Sequence, residues 1–163
     1  MLQSSPARRS IVVAAFAAAM LAGCAGPRVE QVREPRETPC VAAAQGEPLI
    51  GNWMSVRREK GVAGELRTLI SLRADGTMSY QEQLSRPGRA PQGLAETGCW
   101  ERQGGMVVLR TLASNGSPVD PEDPIYVNRY QLTRESAERI GLQAADGVRV
   151  DARRMPADYR LPL

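Results

Sequence analysis

The chain carries three cysteines, Cys24, Cys40 and Cys99, and no histidine. Without an imidazole there is no Ser-His-Asp or Cys-His catalysis, no histidine-based zinc site and no switch that titrates near neutrality. Cys24 follows Leu21-Ala22-Gly23. Small residues ahead of it let the chain lie extended in a protease cleft, and its thiol is a nucleophile able to accept a diacylglyceryl group. Cys40 and Cys99 are either bridged in an oxidising compartment or two separate buried thiols. Two thiolates with no histidine fall short of a zinc ligand set. The carboxylates Glu82, Glu96, Glu101, Asp120, Glu122 and Asp123 show no spacing that singles out a pair for glycoside hydrolysis. Asp120-Pro121-Glu122-Asp123 lacks the alternating ligands and glycine of a calcium loop and reads as solvated loop. No Gly-X-Ser-X-Gly elbow or phosphate-cradling glycine loop occurs. The expectation is a non-enzymatic protein with no catalytic, cofactor-binding or metal-binding residue.

The residues around Cys24 fix how the N-terminus is read. Arg8-Arg9 form a positive flank, and Ile11–Leu21 is an apolar run of 11 residues, too short to span a bilayer stably and suited to a signal peptide. Leu21-Ala22-Gly23-Cys24 closely resembles the bacterial lipobox. That resemblance implies removal of residues 1–23 as a lipoprotein signal peptide, thioether lipidation of Cys24 and acylation of its new amino group. Several acyl chains anchor far more firmly than one. The covalent lipid is the only non-protein group implied. Ala25, where an inner-membrane retention signal in enterobacteria would place Asp, implies the outer membrane, with the domain facing the periplasm.

The full chain has 163 residues and formal net charge +3. Removing Arg8 and Arg9 with the signal peptide brings the mature chain to about +1, and its arginines are dispersed, so no nucleic-acid footprint is read. Arg67, Arg86 and Arg89 could form a basic patch facing lipopolysaccharide or another acidic envelope partner, but a dispersed solvated face is the preferred reading. Residues 24–48, the lipidated cysteine and a flexible linker, are broken by Pro27, Pro35, Pro39 and Pro48 and kept in solvent by alternating Arg and Glu. The folded domain is expected over 49–155, with a tail at 156–163.

Within 49–155, alternation and frequent turn signals predict eight short strands: 51–58, 65–73, 77–84, 94–102, 106–112, 125–133, 139–143 and 148–154. Asp75-Gly76, Gly104-Gly105 and Asp146-Gly147 are tight-turn signals. Residues 85–93 and 113–124 read as long loops. Sequential hairpins suit an up-and-down meander, and closing eight strands into a barrel removes exposed edges. The fold class expected is therefore all-β, a single small eight-stranded antiparallel barrel. Leu49-Ile50-Gly51-Asn52-Trp53 resembles the Gly-X-Trp opening of lipocalin-like domains, and Leu72–Thr77 and Gly98–Leu109 resemble their hairpins. The resemblance implies that Trp53 plugs one barrel end beneath an arginine of the last strand, where Arg154 is the candidate. Thr68, Glu82, Arg110 and Arg129 fall among the apparent interior positions. Either the interior holds a polar pocket or the alternation slips at a bulge and the charges point outward.

Three functions are compatible with this reading. The first is a membrane-tethered binding module for a small apolar ligand or an envelope component, implied by the lipobox with the lipocalin-like pattern. The second is a periplasmic inhibitor of a protease or lysozyme, because Cys99-Trp100 before a short hairpin is similar to protease-inhibitor barrels. The third is a structural or assembly accessory of the outer membrane. Fold alone does not choose among them.

Overall fold

The computed structural model describes residues 40–58 and 61–161. Cys24, the signal peptide and most of the linker lie outside the described residues. The strands are β1 (Gly51–Arg57), β2 (Glu65–Leu72), β3 (Thr77–Ser85), β4 (Gln92–Gln103), β5 (Met106–Ser114), β6 (Ser117–Pro118), β7 (Val127–Glu135), β8 (Arg139–Ala144) and β9 (Arg149–Met155). All pairings are antiparallel. Neighbours follow the order β4-β3-β2-β1-β9-β8-β7-β5, and β4 also pairs with β5, so the eight long strands close on themselves. The protein is an all-β, eight-stranded up-and-down barrel, with β6 a two-residue spur beside the end of β5.

Alternation dictates the filling. Trp53 on β1, Ile70 and Leu72 on β2, Met78 on β3, Trp100 on β4, Val107 and Leu109 on β5, Ile140 and Leu142 on β8, and Val150 and Ala152 on β9 form one buried cluster. These positions lie two apart within each strand, the spacing that lines a single face. They concentrate at the end where β1 begins, and Leu49 and Ala43 cover that end. Both indoles are satisfied: Trp53 Nε1 donates to the Leu49 carbonyl at 2.7 Å and Trp100 Nε1 to the Arg73 carbonyl at 2.9 Å.

Two segments expected to be free are packed. Residues 40–48 lie against the closed end, with the Ala43 amide donating to the Ala74 carbonyl at 2.9 Å. Arg102 grips both Glu135 oxygens at 2.8 Å each and Glu47 at 3.1 Å, tying β4 to β7 and to this segment. At the other terminus, Tyr159 and Leu161 pack over the outward residues Met54 and Leu69, and Asn52 Nδ2 donates to the Pro156 and Ala157 carbonyls at 2.9 and 3.0 Å. Outward apolar residues on β1 and β2 supplied the apolar surface that draws the tail in.

The long loop expected over 113–124 is partly ordered. β5 runs on to Ser114 and turns through Asn115 (φ 48°) and Gly116 (φ 80°) into β6. Two successive positive φ values make the tight hairpin that Asn-Gly favours. Strand β7 begins at Val127 rather than Ile125, because Pro124–Tyr126 forms a 3-10 turn whose N-cap is Asp123. Among the described residues no helix is long and apolar enough to cross a membrane.

Candidate functional site at the open end of the barrel

The closed end is built by a guanidinium. The Arg154 Cζ stands 4.1 Å from the Trp53 ring centroid. Arg154 Nη1 donates to the Ile50 carbonyl and Nη2 to the Pro48 carbonyl, both at 2.7 Å, and Nε donates to the Ala137 carbonyl. Gly51 (φ 145°) is the residue over which this side chain crosses. A Cβ there would stand 2.3 Å from Arg154 Nη1, which explains the glycine in Gly51-Asn52-Trp53. Arg154→Ala removes three charge-assisted bonds and the cation–π contact while leaving the carbonyls of Pro48 and Ile50 without their donor. We expect a loss of about 2–4 kcal/mol in urea unfolding. Arg154→Lys should restore little of it, since an ammonium cannot span three carbonyls in a fork.

The other half of the barrel is lined differently. Going up β2 and β3 from the aliphatic layer, the inward positions become Thr68, Tyr80 and Glu82. Across the barrel, Thr111 and Tyr130 stand above Leu109 and Leu132. Tyr80 Oη donates to Glu82 Oε2 at 2.8 Å, Thr68 Oγ1 donates to the same oxygen at 3.4 Å, and Arg57 Nη2 lies 3.7 Å from it. Thr111 Oγ1 donates to Glu96 Oε2 at 3.1 Å. Glu96 is the cross-strand neighbour of Tyr80. Between these walls lies a cavity of about 250 Å³, floored by Met78 and Leu109, walled by Tyr80, Glu96, Thr111, Asn128 and Tyr130, and rimmed by Leu94 and Ile125. Ile125 on the rim is 67% exposed.

Burial, together with the charge of Glu82 and the hydrogen bond to it, holds the Tyr80 phenol far above its ordinary range, and burial likewise raises Tyr130. A folded-state pKa above the unfolded value stabilises below the unfolded pKa and loses that stabilisation as pH rises beyond it. The unfolding free energy should therefore be flat up to about pH 10, the ordinary tyrosine value, and fall above it. Tyr80→Phe should cost about 1.5 kcal/mol at pH 7 through the lost bond to Glu82 and make the alkaline fall shallower. Urea midpoints measured at pH 7, 9, 10.5 and 11.5 for both proteins check this.

Of the four interior positions flagged from the sequence, Thr68 and Glu82 do face inward, into this polar cup. Arg110 and Arg129 do not. Arg110 lies on the outer face of β5 and donates to the Pro121 carbonyl at 3.4 Å, while Arg129 is exposed on β7. On β5 the run Val107-Val108-Leu109 is apolar on both faces, so alternation could not tell inside from outside there. The outward Val108 is 2% exposed because it sits beside the Cys40–Cys99 bridge. That bridge is formed, with the two Cα atoms 5.2 Å apart, and pins residue 40 to β4.

Asp120 and Asp123 serve as turn acceptors for the Glu122 and Ile125 amides, each at 3.0 Å. Among the described residues no cluster of three or more His, Cys, Asp or Glu could hold a metal ion. The cup offers fixed acceptors and hydroxyl donors to a small polar group. Sequence reasoning named Glu96 only among carboxylates that form no pair, and it missed Tyr80, Thr111, Asn128 and Tyr130 as walls of the cup. Their signal was weak but present: polar residues two apart, in register with inward aliphatic ones, toward one end of each strand.

No family model matches the chain, and no curated protein matches it. Among solved structures, the crystal structure of the Cpx pathway activator NlpE from Escherichia coli is similar to it, with a TM-score of 0.42 and 17% sequence identity, over 69% of this chain and 49% of that one. The chain thus spans about half the length of that structure.

Proposed function

We propose that this chain is a lipid-anchored, non-enzymatic binding module of the cell envelope, whose ligand site is the polar cup at the open end of the barrel. The observation that carries the reading is the asymmetric filling: one end is solid around Trp53, and the other keeps about 250 Å³ of space. Ordinary small-molecule pockets run from about 300 to 1,000 Å³. The cup therefore suits a headgroup or a single side chain rather than a whole acyl chain. Its hydroxyls, carboxylates and phenol rings favour a polar group entering past the apolar rim at Leu94 and Ile125. The anchor and the envelope placement rest on Leu21-Ala22-Gly23-Cys24 and on the oxidised Cys40–Cys99 pair, which suits a compartment that maintains disulfides.

The test uses the full chain produced in a bacterial host, extracted from membranes in mild detergent and examined by native mass spectrometry. Labelled palmitate should enter the wild type and not Cys24→Ser. A small adduct should accompany the wild-type barrel and be lost in Tyr130→Trp, which fills the cup, with the β-sheet circular dichroism unchanged. An adduct retained in Tyr130→Trp, or a barrel that never carries one, would remove the cup as the ligand site.

A further inference from the structure

The lining of the cup is one-sided in its charge. Its walls come from β3, β4, β5, β7 and the turn ahead of β7, the side of the cylinder across from β1. Among the described residues that line it, Glu96 is the one charged side chain, and no lysine or arginine borders the space. Glu96 faces inward, because it is paired across the strands with Tyr80, which packs against the core. Its carboxylate receives one hydrogen bond from the described residues, Thr111 Oγ1 to Oε2 at 3.1 Å. A carboxylate has about four accepting positions, so most of that capacity is unused. Two hydroxyl protons of the lining are already committed, that of Thr111 to Glu96 and that of Tyr80 to Glu82 at 2.8 Å. Their oxygens therefore present lone pairs, not protons, to anything entering. Asn128, paired across the strands with the core residue Leu109, adds an amide to the same wall.

We propose that the cup takes the ammonium end of a small alkylamine, with Glu96 as its counter-charge and the oxygens of Tyr80, Thr111 and Asn128 as further acceptors. The inference rests on the cup being the ligand site and adds the chemical class of the ligand. An ammonium has three N–H donors and no acceptor, the complement of this lining. Its bond to a carboxylate is charge-assisted and about twice as strong as a neutral one. An alcohol of the same size brings one proton and no charge. A carboxylate or phosphate would meet Glu96 with like charge. The rings of Tyr80 and Tyr130 border the same space, and aromatic rings attract cations where aliphatic walls do not. The amine is either free or the amino end of a phospholipid headgroup.

The test follows 13C-labelled tyrosine rings by NMR of the full chain in detergent, titrated separately with ethylammonium, ethanol and acetate, which differ little in size and fully in charge. The Tyr80 and Tyr130 signals should move saturably with ethylammonium, and that of Tyr159, packed over the outer face, should not. Affinity should fall about tenfold in Glu96→Gln, the order of one charge-assisted hydrogen bond, and stay unchanged in Glu101→Gln, which is exposed near the closed end of β4. Asn128→Asp adds a carboxylate to the wall and should raise affinity. Misfolding does not produce a gain, so this variant keeps the test decisive if Glu96→Gln disturbs the barrel. Ethanolamine and glycerophosphoethanolamine then separate the two sources: tighter binding of the second assigns the amine to a lipid headgroup, and equal binding to the free amine. Ring signals that answer ethanol or acetate better than ethylammonium overturn the ammonium assignment and leave the cup as a ligand site. Ethylammonium binding that survives Glu96→Gln overturns it too. Signals that answer none of the three also overturn it, and the adduct experiment above then decides the cup itself.

Discussion

Replacing Cys40 and Cys99 together with alanine should lower the stability of the barrel by about 4 kcal/mol. The bridge closes a loop with a sequence separation of 59 residues. In the chain-entropy account, a loop of that length restrains the unfolded chain by about 4 kcal/mol. The bridge also holds the outer face of β4 to residues 40–48, and with it the cover over Val108 and the Glu47–Arg102 contact. Urea unfolding with and without dithiothreitol reads the effect. Wild type should shift to a lower midpoint on reduction, and the double alanine variant should start low and not respond. Hydrogen exchange should localise part of the change, with the Ala43 amide, which donates to Ala74, losing protection first. A shift below about 1 kcal/mol would mean that the cap at the closed end is held by packing and hydrogen bonds alone.

Trp53→Ala should be comparably damaging. The side chain is fully buried, donates to the Leu49 carbonyl and lies beneath the Arg154 guanidinium. Truncating a buried aromatic costs about 3–5 kcal/mol, and here the Leu49 carbonyl also loses its donor. Against the 5–15 kcal/mol typical of single domains, such a change takes a large share of the total. Trp53→Phe keeps a ring under Arg154 and should recover about half. Because Trp53 and Arg154 touch, the double variant Trp53→Ala/Arg154→Ala should be less destabilised than the sum of the two single variants. Thermal and urea unfolding of the four proteins gives the coupling directly. Additive losses would show that the stacking contributes nothing beyond volume.

What could be read from the residues follows from where alternation meets a single covered face. On β2, Leu66, Thr68, Ile70 and Leu72 lie two apart along one face and Asp75-Gly76 marks the turn into β3, so the limits and the inner face are both legible there. β5 defeats the same rule. Val108 is buried from outside by the disulfide and its flanking segment, which lie far away in sequence, and no local pattern announces that. The packed residues 40–48 hide for a related reason: Pro39 and Pro48 bracket a stretch without periodicity, and what orders it is a bridge to β4 and an ion pair to Arg102. The tail is similar, since Tyr159 and Leu161 are too few to form a pattern and matter only because Met54 and Leu69 face outward beneath them. At the open end, Glu82 and Thr68 were visible as polar residues at inward positions. Their partners Arg57 and Tyr80 become evident only once the register sets Thr68 beside Glu82 and Tyr80 beside Glu96.

The closing seam has a kinetic consequence. Seven of the eight barrel pairings join strands that are successive around the cylinder and close in the chain. The eighth sets Asn52–Met54 against Arg153–Met155, about a hundred residues away. Local hairpins can zip up early, whereas a seam of such long range must wait until the rest of the sheet has brought its edges together. Arg154 belongs to that seam and reaches Pro48 and Ile50 only after it is sewn. The residue that seals the base of the barrel is thus among the last to find its place, and a chain stalled before that moment presents two bare strand edges to its neighbours.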